Sequence, residues 1–125
     1  MSTVSIRYMI DDVPAAVAFY TTHLGFVVEL DNSPAFASVT RDGVRLLLSG
    51  KTSSGRRPMP DGREPVPGGW NRMHLVVDDL EAEVKRLRKV GVPFRNEIIS
   101  GPGGSQIILE DPSGNPVELF QPNQR

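Results

Sequence analysis

The chain has 125 residues, with 14 Lys and Arg against 15 Asp and Glu, and a net charge of −1. That length suits one ordinary domain able to bury a core without staples, and with no basic excess to neutralise a phosphate backbone, nucleic acid is not an expected partner. The absence of cysteine excludes a disulfide framework, a thiolate metal site and a cysteine nucleophile, and fits a reducing cytoplasm.

The opening MSTVSIRYMIDD contains no apolar run of signal-peptide length, and no segment reaches the ~20 apolar residues of a membrane helix. A soluble, cytoplasmic protein without a membrane partner is expected. SIRYMI alternates in side-chain character and reads as a strand. Asp12 is placed to cap the helix that follows, and Pro14 is tolerated in its first turn. Val13, Val17, Tyr20 and Leu24 then recur at helical spacing. Strands near 26–31, 35–41 and 44–49 complete this half. Residues 50–69 are rich in Gly, Pro, Ser and charge, with no apolar period. They form either a plain crossover or a flap that carries Arg56, Arg57 or Arg63 toward a ligand.

After Trp70 the pattern restarts. MHLVV reads as a strand, and Asp78 and Glu81 have capping-box spacing. Leu80, Val84 and Leu87 form the apolar stripe of a second helix. Acidic Glu81 and Glu83 open it and basic Arg86, Arg88 and Lys89 close it, matching the helix dipole. Gly91 and Pro93 mark its end. Strands follow near 93–99, 105–110 and 116–121. The glycine-rich SGPGGS has no helix after it, so it reads as a hairpin rather than a phosphate-binding loop.

The two halves repeat. IRYMIDDV at 6–13 answers MHLVVDDL at 73–80, with Asp12 and Asp79 lying 67 residues apart. RDGVRLLL answers PSGNPVEL, with Gly43 and Gly114 lying 71 apart. Each half reads βαβββ, giving an α+β fold with half-repeats 4–49 and 70–121 around the 50–69 linker.

DDVPAAVAFYTTHLGF, VDDLEAEVKRLRKVGV and DPSGNPVELFQP, in this order, resemble the vicinal-oxygen-chelate superfamily of glyoxalases, bleomycin-resistance proteins and extradiol dioxygenases. The resemblance spans about residues 4–121. It implies a single domain of paired βαβββ modules whose mixed sheets curl around a central cup, and a homodimer. It implies a small-molecule ligand in that cup, with or without chemistry, because fold does not choose function. Catalytic members of the family hold a divalent metal that polarises substrate oxygens. Carried onto this chain, the ligand positions fall on Ser5, Leu47, Arg72 and Glu118, of which only Glu118 is a metal-binding type. A shift of two residues brings His74 to the same face in place of Arg72. No cofactor is therefore favoured; the alternative is a divalent metal on His74 and Glu118.

Alternation selects the cup lining: Arg7, Arg45, Arg72, His74, Glu118 and Phe120, with Trp70 beside them. Arginines bind carboxylate or phosphate through paired hydrogen bonds, so an anionic or polyoxygenated small molecule is the expected ligand. Three functions compete. One is a binding protein without a full metal site. The second is a metal-dependent lyase, isomerase or dioxygenase of the glyoxalase type with His74 and Glu118 as its catalytic groups. The third is a metal-free enzyme using His74 and Glu118 directly, with arginines holding a carboxylate.

Overall fold

The computed structural model describes residues 4–123. The chain divides into two compact units after Gly68. Each has the order strand, helix, three strands, so the repeat read from the sequence is present in the fold.

The first unit contains β1 (Ser5–Met9), α1 (Val13–His23), β2 (Val27–Asn32), β3 (Phe36–Arg41) and β4 (Val44–Ser49). Its sheet has the order β1-β4-β3-β2, with β1 parallel to β4 and the other pairs antiparallel. The parallel pair needs a long crossover, and α1 is part of it. Asp12 caps α1 by accepting the Ala15 N–H at 3.1 Å. Tyr8, Ala37, Val39, Leu46 and Leu48 are buried with the α1 residues Ala16, Phe19 and Tyr20. Each fully buried leucine contributes about 2 kcal/mol of apolar transfer. The core face of α1 is turned slightly from the expected stripe. Val17 is half-buried, while Ala16 and Phe19 are buried, Phe19 packing edge-on against Tyr20 at 5.2 Å.

The 50–68 segment packs on this unit. Gly50 N–H bonds the Ala35 carbonyl at 2.9 Å. A short 3-10 turn follows at Ser54–Arg56. The Arg56 side chain is 8% exposed and donates to the Ile10 carbonyl at 2.9 Å and to the Pro65 carbonyl at 3.0 Å. Arg56 therefore anchors the crossover and is not a free ligand-binding arm. Arg63 is exposed and pairs with Asp61.

The second unit contains β5 (Met73–Val76), α2 (Leu80–Lys89), β6 (Ile99–Ser100), β7 (Gly104–Glu110) and β8 (Pro116–Pro122), in sheet order β5-β8-β7-β6. The α2 cap is Asp79, not Asp78: its Oδ1 accepts the Ala82 N–H at 3.1 Å. This matches Asp12 in the repeat and leaves Ala82 at the third helical position, so no capping box forms. Leu80, Val84 and Leu87 are buried as the stripe required. Gly91, with φ of 86°, takes the left-handed turn after the helix. The strand expected over 93–99 shrinks to Ile99–Ser100 plus a lone bridge from Phe94 to Leu109. Pro93 has no N–H to give, and the Asn96 side chain takes a ladder position by accepting the Ile108 N–H at 2.9 Å.

Candidate functional site

In each unit the helix covers one sheet face and the other face carries the polar groups. In the second unit the register aligns His74 with Glu118, and Glu118 with Ile108. One step along, Val76 aligns with Phe120 and Phe120 with Gln106. The turn before β8 is fixed by Asp111, whose Oδ1 accepts the Ser113 and Asn115 N–H groups at 2.8 and 2.9 Å. The DPSGNP segment thus sets the position of Glu118.

The Glu118 side chain is 9% exposed. Its Oε1 accepts Arg72 Nε at 3.0 Å and Nη2 at 2.9 Å, and its Oε2 lies 3.6 Å from His74 Nε2. The His74 ring lies against Phe120 with centroids 4.7 Å apart and planes tilted by 37°. Arg72 also donates from Nη1 to the Trp70 carbonyl at 3.1 Å. Trp70 is 68% exposed, so it is no core anchor. The Arg95 guanidinium lies 4.6 Å from its ring centroid. Arg95 is itself fixed by Glu110 Oε2 at 2.9 Å and by the Gly69 and Gly114 carbonyls at 2.6 and 2.9 Å. Five residues expected from the sequence therefore share one network: Trp70, Arg72, His74, Glu118 and Phe120. Arg95 and Glu110 complete it and had no sequence signal.

The first unit's open face is different. Ser5 aligns with Arg45 and Arg7 with Leu47. Arg45 is held by Glu29 through Nε at 2.7 Å and Nη2 at 2.8 Å, and Ser38 Oγ donates to the same carboxylate at 2.9 Å. Arg45 first, then Ser38, hold the Glu29 carboxyl below the ordinary carboxylate range. A depressed folded value contributes stability that is full above the unfolded value and is lost as pH falls through the folded one. Glu29→Gln should accordingly lower the urea midpoint most at neutral pH, with the gap from the parent closing as pH falls below the ordinary glutamate value and through the lowered folded one. A gap independent of pH would mean that the pair does not carry this linkage. Arg7 donates from Nη1 to Ser49 Oγ at 2.7 Å.

A catalytic divalent-metal site takes about three protein ligands. The second unit brings only His74 and Glu118 together, and the Arg72 guanidinium occupies one Glu118 oxygen, where a cation would be repelled. The repeat-equivalent pair of the first unit is Arg7 and Leu47, which offers no ligand. Among the described residues no three His, Cys, Asp or Glu side chains form a group that could hold a metal. These residues do not fit a divalent metal.

Two βαβββ units, each with one helix-covered and one open sheet face, define an α+β protein of the paired-module class. The chain belongs to the Glyoxalase/Bleomycin resistance protein/Dioxygenase superfamily, whose family model matches residues 3–119. Among solved structures it is similar to TnmS3, an antibiotic binding protein from Streptomyces sp. CB03234, at 25% identity and a TM-score of 0.74, covering 98% of this chain and 97% of that one. It is similar to a superfamily member from Sphaerobacter thermophilus DSM 20745 at 27% identity and a TM-score of 0.76, covering 97% of each chain. The lactoylglutathione lyase of Agrobacterium tumefaciens shares the fold at 23% identity and a TM-score of 0.75, covering 96% of this chain and 92% of that one. A comparison with curated protein sequences finds no match. No helix of the described residues is long and apolar enough to cross a membrane.

Proposed function

We propose that this chain binds a small anionic or polyoxygenated molecule without a resident metal, with the open face of the second unit's sheet as a principal contact surface. The half-repeats are proposed to act as one glyoxalase-like domain. The observation that carries this reading is the placement of two aromatic groups beside a fixed charge pair. Trp70 leaves most of its indole exposed above an immobilised Arg95, and His74 lies on Phe120 next to the Arg72–Glu118 pair. A rigid aromatic surface with a few placed polar groups suits a planar ligand. The likeness to an antibiotic binding protein supports sequestration of such a molecule.

Trp70 is the single tryptophan, so its emission reports directly on this surface. Planar aromatic carboxylates, polyhydroxylated aromatics and a set of antibiotics should be screened by thermal shift and by Trp70 quenching. A binder should raise Tm and quench. Trp70→Ala and Phe120→Ala should each weaken it about tenfold, the effect of losing roughly 1.4 kcal/mol of stacking and burial. A panel with no binder, or a binder indifferent to both variants, would sink the proposal.

One observation favours a catalytic alternative. His74 Nε2 stands 3.6 Å from a Glu118 carboxylate that Arg72 holds in place. Such a pair can move a proton on a bound substrate without a metal. Turnover of a confirmed binder, lost in both His74→Gln and Glu118→Gln while binding persists, would select that reading.

A further inference from the structure

The arginines of the two open faces are not equivalent. Arg45 is closed by Glu29, Arg72 by Glu118 and Arg95 by Glu110. The remaining described arginines, apart from Arg7 and Arg57, also lie within salt-bridge distance of a carboxylate. Arg57 is on the exposed crossover. Arg7 is the one arginine of either open sheet face whose charge no described carboxylate answers.

Its position is nonetheless fixed. Nη1 donates to the Oγ of Ser49, a buried residue at the end of β4. The backbone of Gly55, in the 3-10 turn, lies directly on the guanidinium. A Cβ built on Gly55 would fall 2.2 Å from Nη1 and 2.8 Å from Cζ, so a side chain there would push the flexible Arg7 head group from this place. One hydroxyl and one glycine backbone thus hold the head group while Nε and Nη2 make no bond to a described residue. Those two N–H groups form the planar fork that matches two oxygens of a carboxylate or phosphate. Half-buried Met9 and Leu47 belong to the same sheet face, while Arg7 itself is exposed and so within reach of an anion.

We infer that Arg7, bonded to Ser49 and lying against Gly55, is a receptor for an anionic group on the open face of the first unit's sheet, a carboxylate or phosphate taken side-on by Nε and Nη2. This assigns to one residue of this unit the anion recognition that the sequence spread over three arginines. Arg45 and Arg72 act instead as orienting partners for the protein's own carboxylates.

The test is a titration of the ¹⁵N-labelled full-length protein with sodium acetate and, separately, with inorganic phosphate at constant ionic strength, following the arginine Nε–Hε resonances. The Arg7 resonance should move and saturate while those of Arg45, Arg72 and exposed Arg57 stay in place. Stronger saturation by acetate assigns a carboxylate group, and stronger saturation by phosphate assigns a phosphate. Arg7→Lys keeps the charge without the fork and should weaken the acetate midpoint at least fivefold. Gly55→Ala keeps Arg7 but pushes its head group off the turn, and should weaken the midpoint similarly in a protein of near-parent Tm. A shift that is linear, or shared equally by Arg57, overturns the inference, as does full affinity in both variants. The outcome is separable from the ligand screen, which reads Trp70 of the second unit.

Discussion

Arg72→Met will destabilise the protein by about 3 kcal/mol at neutral pH, the lower end of what breaking a buried ion pair costs. The Glu118 side chain is 9% exposed and that of Arg72 26% exposed, so the carboxylate loses the guanidinium with little water to replace it. His74, 3.6 Å away and half-exposed, is too long a contact to substitute. The reciprocal change is milder. Glu118→Gln leaves a guanidinium that can reach solvent and keeps its bond to the Trp70 carbonyl, so a loss of about 1–2 kcal/mol is expected. The double variant Arg72→Met/Glu118→Gln should be more stable than Arg72→Met alone, because no uncompensated charge remains. Urea midpoints at unchanged m-value measure all three. An Arg72→Met protein within about 1 kcal/mol of the parent would show that Glu118 finds other solvation, and the charge pair would no longer serve as a rigid part of the candidate site.

The parts of this structure that were legible in the sequence are those set by local rules. Asp12 and Asp79 start helices because a carboxylate can take an orphan N–H, and the 67-residue interval between them exposed the repeat. The stripe Leu80, Val84 and Leu87 followed from helical period alone. Period-two alternation placed Arg72, His74, Glu118 and Phe120 together, and the register of β5 on β8 sets His74 across from Glu118. What escaped lies where a local rule is interrupted. Arg95 sits in the 93–98 stretch that Asn96 and Pro93 keep out of regular pairing, so alternation could say nothing of its direction. Glu29 falls at the irregularity between Val28 and Leu30, which lets it reach Ser38 and Arg45 on the open face. That partner gives Arg45 a carboxylate within its own unit. The approach of Gly55 to Arg7 depends on a 48-residue separation that no short-range pattern reports.

Gly104→Ala should cost about 3 kcal/mol while Gly103→Ala, one residue earlier, should stay within about 0.5 kcal/mol of the parent. A Cβ at Gly104 would lie 2.1 Å from the Gln121 carbonyl oxygen, 2.8 Å from Phe120 Cζ and 2.9 Å from Pro122 Cα. Two of those atoms are backbone of the paired strand β8, which can retreat only by opening the register of Gly104 on Pro122. At Gly103 the nearest atom is Phe120 Cζ at 3.8 Å, an ordinary contact. The effect at Gly104 should extend to the candidate site, because the ring it displaces is the one against which His74 lies. Moving Phe120 removes its ring current from the imidazole, so the His74 ring-proton resonances should shift in Gly104→Ala and hold in Gly103→Ala. Equal stability of the two variants would mean that the start of β7 yields freely. Loss of stability with unmoved His74 resonances would mean that the backbone strain is absorbed without reaching Phe120. In either case the contact of His74 with Phe120 would owe its position to something other than the close approach of β7 and β8, and the rigidity assigned to this aromatic surface would have to come from the Arg72–Glu118 and Arg95–Glu110 pairs.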